Sequence, residues 1–140
     1  MIKFGYSKEL MLEKNVRLFG WGYAVGQYNS LVSEDLNNYA VPVGKKLIIK
    51  NIHIISLTAS GSKEGELRFG YGDTSVSISG TPPTNYVQNN YFNVLTPISN
   101  NKTQKAVSCN IPIPSGKYVC INTNEALYAN YLVIAQGVLI

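Results

Sequence analysis

Lys46-Leu47-Ile48-Ile49-Lys50-Asn51-Ile52-His53-Ile54-Ile55-Ser56-Leu57 is the run on which the fold turns. It is dense in isoleucine, and β-branched side chains favour extended backbone. Leu47, Ile49, Ile55 and Leu57 share one parity, while Ile48, Ile52 and Ile54 share the other. A strand alternates its side chains between two faces. An apolar content on both parities therefore means a central strand covered on both sides, or a bulge that switches the register partway.

Outward from this run the same grammar repeats. Residues 16–25 read as a strand, followed by a long polar loop from Gly26 to Asn38. Leu67, Phe69 and Tyr71 alternate with Glu66, Arg68 and Gly70, and Val76 and Ile78 alternate with serines. Tyr86 to Leu95 is a Tyr/Asn-rich strand. Val107, Cys109, Ile111 and Ile113 form another, Lys117 to Asn122 the next, and Ala126 to the C-terminus the last, with Gln136-Gly137 as a bulge signal. Residues 7–15 suit either one or two helical turns capped by Ser7 or an extended arm. Eight or nine short strands with turn signals between them predict an all-β, jelly-roll-like β-sandwich or barrel. The organisation expected is an N-terminal arm, strand and loop over 1–38 and a β-sandwich core over 39–140, one domain overall.

Composition agrees. The 140 residues match one domain. Charged residues are only 14%, against about 25% in an average domain, which excludes a disordered solvating chain. The net charge of +4 comes from few acids rather than concentrated bases; the lysines are scattered and there are two arginines, Arg17 and Arg68. That argues against nucleic-acid binding. No apolar run reaches signal-peptide or membrane-span length. Asn101-Lys102-Thr103 fits a glycosylation sequon by chance. Cys109 and Cys120 flank Pro112-Ile113-Pro114-Ser115-Gly116 and face each other if that stretch is a hairpin turn; either a cross-strand disulfide or two buried thiols results.

Two internal echoes stand out. Val41-Pro42-Val43-Gly44-Lys45 and Ile113-Pro114-Ser115-Gly116-Lys117 share a pattern of turn chemistry, with proline expected at the second turn position. Neither fits a phosphate loop. Phe19-Gly20-Trp21-Gly22-Tyr23 and Phe69-Gly70-Tyr71-Gly72-Asp73 alternate aromatics with glycines. The aromatics of each share one face, either core or an exposed platform for a subunit or a sugar ring.

No catalytic constellation emerges. His53 is the only histidine and lies mid-strand, the acids are mostly in loops with Glu64 and Glu66 flanking Gly65 on the way into a strand, and Asp73 lacks the oxygen donors of a calcium site. No enzyme activity, metal or cofactor is expected. The Val41–Lys45 lead-in to an isoleucine-rich strand and the Ile111–Lys117 corner resemble those of virion accessory proteins of tailed bacteriophages, of the capsid decoration and head or tail fibre type. The resemblance spans roughly residues 39–140. It implies a jelly roll, a homo-oligomer with a trimer favoured, contacts with a major capsid or other virion protein, and residence in the virion after assembly in the host cytoplasm. The interface residues expected are Leu10, Leu12, Phe19, Trp21, Tyr23 and Tyr71, with Leu18 beside them. The alternative is a receptor- or glycan-binding module in which Trp21, Tyr23 and Tyr71 stack on sugar and Asn85, Asn89 and Asn90 bind hydroxyls.

Overall fold

The computed structural model describes residues 14–22, 27–59, 64–95, 103–123 and 129–140. Eight strands follow in order: β1 (Lys14–Gly22), β2 (Tyr28–Ser30), β3 (Leu47–Ala59), β4 (Glu64–Gly72), β5 (Val87–Leu95), β6 (Thr103–Ile113), β7 (Tyr118–Thr123) and β8 (Ala129–Leu139). They form two antiparallel four-stranded sheets, sheet A in the order β1-β8-β3-β6 and sheet B in the order β2-β7-β4-β5. Only the step from β4 to β5 joins neighbours in one sheet; every other connection crosses to the opposite sheet. That wiring is the jelly roll. Residues 14–38 supply β1 and β2, so the described part of the 1–38 segment belongs to the two sheets.

The isoleucine-rich run resolves its double parity through a register shift. Leu47 and Ile49 point into the sandwich; pairing then slips at Lys50, and Ile52 and Ile54 point inward. The extra residue opposite β8 is Lys50 of β3, so the irregularity expected at Gln136-Gly137 lies on the neighbouring strand instead. Gly137 is needed there because a Cβ would strike the carbonyl of Ile48. The core joins Leu18, Leu47, Ile49, Ile52, Ile54, Ile111, Ile113 and Val133 of sheet A to Leu67, Phe69, Val119 and Ile121 of sheet B. Ala135 and Leu139 of β8 belong to it too, and Leu31 and Val41, from the connections, complete it.

The proline echoes are two corners bonded to each other. Lys45 N donates to Pro42 O (3.0 Å) and Lys117 N to Pro114 O (3.4 Å), with Gly44 at φ +80° and Gly116 at φ +78°. Each proline therefore opens its turn rather than taking the second position, and each glycine supplies the left-handed residue a type II turn requires. Gly116 N donates to Val41 O (2.7 Å) and Val41 N to Lys117 O (2.9 Å). Ser115 Oγ accepts from Gly44 N (3.0 Å) and donates to Pro42 O (3.2 Å).

The second corner carries the chain from β6 in sheet A to β7 in sheet B, not around a hairpin. Cys109 and Cys120 thus lie in different sheets, and both thiols are free. The loop expected over 26–38 contains the short β2, paired to β7. The strand expected around Val76 and Ile78 is a loop held by the bridge between Tyr28 and Ser79 and by Ser30 N donating to Val76 O (2.9 Å).

Candidate functional site: the outer face of sheet A

The aromatic-glycine echoes have opposite orientation. On β4, Phe69 is fully buried and Tyr71 packs against the core. Gly70 and Gly72 face outward beneath Val87 O and Pro83. On β1 it is the glycine that faces inward: a Cβ on Gly20 would run into Leu31 and Ile121. Phe19 and Trp21 consequently face away from the core, with Trp21 37% exposed.

The register extends this outward face into rows. Trp21 lies beside Leu132, which pairs with Ile55 and then Gln104. Phe19 lies beside Ile134, then His53 and Ala106. The third row is Arg17, Gln136, Asn51 and Ser108. Two rows are thus largely apolar and the third is polar throughout. Phe19, Leu132, Ile134 and Ile55 are half-buried although no further layer of the described chain covers them. His53 Nε2 and Gln104 Oε1 are 3.0 Å apart, so the histidine is tied to its own sheet.

Two cavities open on this face. One, about 480 Å³, is lined by Arg17, Glu34, Lys50, Asn51 and Gln136 among others. The second, about 460 Å³, shares Arg17, Asn51 and Gln136 and reaches Phe19, His53 and Ile134. Both fall within the usual size of small-molecule sites.

Sheet B is different. Its outward face carries Tyr28, Arg68, Cys120 and Asn122, and the loop over 73–86 covers part of it. Tyr86 stacks edge-on to Tyr28 at 5.2 Å. It also lies over Gly70. Arg68 Nε donates to Glu66 Oε1 (2.9 Å), and Asn122 Nδ2 to Gln27 O (3.1 Å). Asp73 at the loop's start pairs with Lys117 and accepts from Asn85 Nδ2 (2.7 Å), which together hold its carboxyl below the ordinary range. Burial pushes the Cys120 thiol up to about 12 and also raises the Tyr86 hydroxyl.

Of the interface residues expected from sequence, Phe19 and Trp21 share the outer face of sheet A, while Leu18 is buried in the core and Tyr71 points inward from sheet B. Leu10, Leu12 and Tyr23 lie outside the described residues. Asn85, Asn89 and Asn90 are exposed around β5 of sheet B, remote from the Trp21 row. Gln136 stands out in the sequence only as part of a bulge signal, and Asn51 and Ser108 do not stand out at all. Their alignment depends on the bulge at Lys50, and only strand pairing reveals it. Among the described residues, no three His, Cys, Asp or Glu side chains are grouped to hold a metal.

No family model matches the sequence, and no curated protein does. Among solved structures, the globular domain of the zebrafish complement 1qA protein is similar, with 13% identity, 86% of this chain and 94% of that chain covered, and a TM-score of 0.43. A likeness of that size carries no argument about activity; the jelly roll is established by the strand order itself.

Proposed function

We propose that this protein is a non-enzymatic structural subunit that assembles with copies of itself, three being the favoured number, through the apolar rows on the outer face of sheet A. The assembly would decorate a larger particle, in the manner of a tailed-phage capsid or fibre component. The observation that carries the reading is the band of Trp21, Leu132, Ile55, Phe19 and Ile134, side by side on a sheet face that nothing in the described chain covers. Contiguous apolar surface of this kind, with Trp21 exposed and the rest partly so, marks contact sites. Burying it gains about 25 cal/mol per Å². The link to a phage particle rests on the resemblance of the two proline corners and on nothing in the sheet face. A glycan module built from Trp21, Tyr71 and the β5 asparagines has less support, because those side chains do not converge.

Light scattering after size exclusion tests the assembly. The wild type at tens of micromolar is expected to run as an oligomer, and Ile134→Glu as a folded monomer with unchanged circular dichroism. A monomeric wild type overturns the reading. Sedimentation with purified phage heads of candidate hosts then tests the particle role.

A further inference from the structure

The polar row beside those apolar rows has a chemistry of its own. Arg17, Gln136, Asn51 and Ser108 cross sheet A on four successive strands, β1, β8, β3 and β6. With strands about 4.8 Å apart, the row is about 14 Å long. Arg17, Asn51 and Gln136 line both cavities and Ser108 the second, so the two adjoin along this row and form one groove.

The hydrogen-bonding capacity of this floor is largely unspent. Among the described residues, the only partner of Arg17 is Glu34 at 3.9 Å, too far for a hydrogen bond. Gln136 makes no side-chain hydrogen bond among the described residues. Asn51 Oδ1 takes a long 3.5 Å contact from Ser108 Oγ, which leaves its amide NH₂ free. On the outer face of sheet B, by contrast, Arg68, Asn122 and Asp73 are all engaged.

Side-chain amides and a hydroxyl offer donors and acceptors together, which suits a ligand whose groups also do both. Phe19 and Ile134 form an apolar wall along one side, and the hydrophobic C–H faces of sugar rings pack on such surfaces. Among the described residues, Arg17 and Lys50 line the groove against the one acid Glu34, leaving an excess of one positive charge. Lys50 Nζ already donates to Asn110 Oδ1 (2.6 Å), so Arg17 is the better placed of the two to grip a carboxylate, and its planar fork can do so with paired hydrogen bonds.

We infer that this groove binds an acidic oligosaccharide, with Arg17 on a sugar carboxylate, Gln136, Asn51 and Ser108 on hydroxyls, and Phe19 and Ile134 against the ring faces. This goes beyond the assembly reading but shares Phe19 and Ile134 with it, so sugar and a second subunit compete for that wall and binding is expected to be strongest to the monomer.

The test titrates the full-length protein with trigalacturonic acid, its methyl ester and 3′-sialyllactose, using calorimetry and Trp21 fluorescence. At least one acidic probe is expected to bind. Arg17→Ala and Gln136→Ala should each weaken it roughly tenfold or more, as loss of a charged or paired hydrogen bond does. Trigalacturonate, if it is the binder, should lose a similar factor on esterification. Both substitutions are at exposed positions, and circular dichroism checks that the fold is kept. Absence of binding at millimolar concentration by both acidic probes overturns the inference. So does binding that Arg17→Ala and Gln136→Ala leave unchanged. Light scattering on the same samples reports assembly separately, so a failed groove and a failed oligomer give different results.

Discussion

The outer faces of the two sheets are made from similar residue types, yet they end in opposite states. Sheet B carries an arginine, an asparagine and tyrosines, and the loop over 73–86 closes part of it while its own side chains occupy its polar groups. Sheet A carries an arginine, an asparagine, a glutamine and aromatics, and neither its apolar rows nor its polar row is closed by the described chain. Covering exposed apolar surface and pairing polar groups both stabilise a monomer. A face that the chain finishes for itself is structural, and a face left unfinished is available to a partner.

The aromatic-glycine strands give the sharpest way to break this contrast. Phe69 fills the core, so Phe69→Ala should cost about 3–5 kcal/mol. Phe19 faces out and is only partly buried, so Phe19→Ala should cost less, about 1 kcal/mol of monomer stability. Urea unfolding of both variants, at concentrations where the chain is monomeric, measures the difference. Equal costs would mean that β1 is core on both sides and that the outer face of sheet A is not a free surface.

The glycines of the same strands should rank in the same sense. A Cβ at Gly70 meets Val87 O, with Gln88 Cα at 3.0 Å, and backbone cannot step aside without moving β5. A Cβ at Gly20 meets the end of the Leu31 side chain, with Ile121 Cδ1 at 3.2 Å, and both can rotate. Gly70→Ala is therefore expected to cost about 2–3 kcal/mol and Gly20→Ala nearer 1 kcal/mol. Thermal unfolding compares them directly, and a larger loss at Gly20 would reverse the assignment of which strand is closely overlaid.

Much of the architecture was legible in the residues because strand periodicity and turn chemistry are local. Leu67-Phe69-Tyr71 alternation gave β4 its inward face, and the double parity of residues 46–57 contained the bulge at Lys50 as one of its two readings. The site was much less legible, because it is assembled across strands far apart in sequence. Phe19 and Phe69 occupy the same local pattern, and nothing within five residues tells which glycine will be overlaid by backbone and which will admit Leu31. The cysteines show the same limit: a proline-glycine corner reads alike whether it turns a hairpin or carries the chain between sheets. The β2 strand was missed because three residues carry too little pattern, and it is held by pairing with β7.

Cys120 offers a gentler probe of how well sheet B is closed. It lies on the outward side of β7, between Ser30 of β2 and Gly70 of β4, yet it is fully buried. Only a cover can produce that combination, and Tyr86 lying over neighbouring Gly70 provides it. Burial disfavours the thiolate and moves the thiol from 9.0 to about 12 in the folded chain. In the unfolded chain the thiol ionises at its ordinary value. Below pH 9 both states are neutral, and the group makes no pH-dependent difference. As pH rises from 9 towards 12 the unfolded state sheds its proton first, so stability falls across that window, by about 1 kcal/mol at pH 10. Tyr39 and Tyr86, whose hydroxyls are also raised by burial, add losses of the same sign at higher pH. Cys120→Ala isolates the thiol: the wild type should lose about 1 kcal/mol more than this variant between pH 8 and pH 10 in matched urea titrations. The native wild type should also resist a thiol-reactive dye at pH 8 at this position until denaturant is added. Identical alkaline slopes in the two proteins, with prompt labelling of Cys120, would mean that the loop over 73–86 opens readily and that sheet B is no more finished than sheet A.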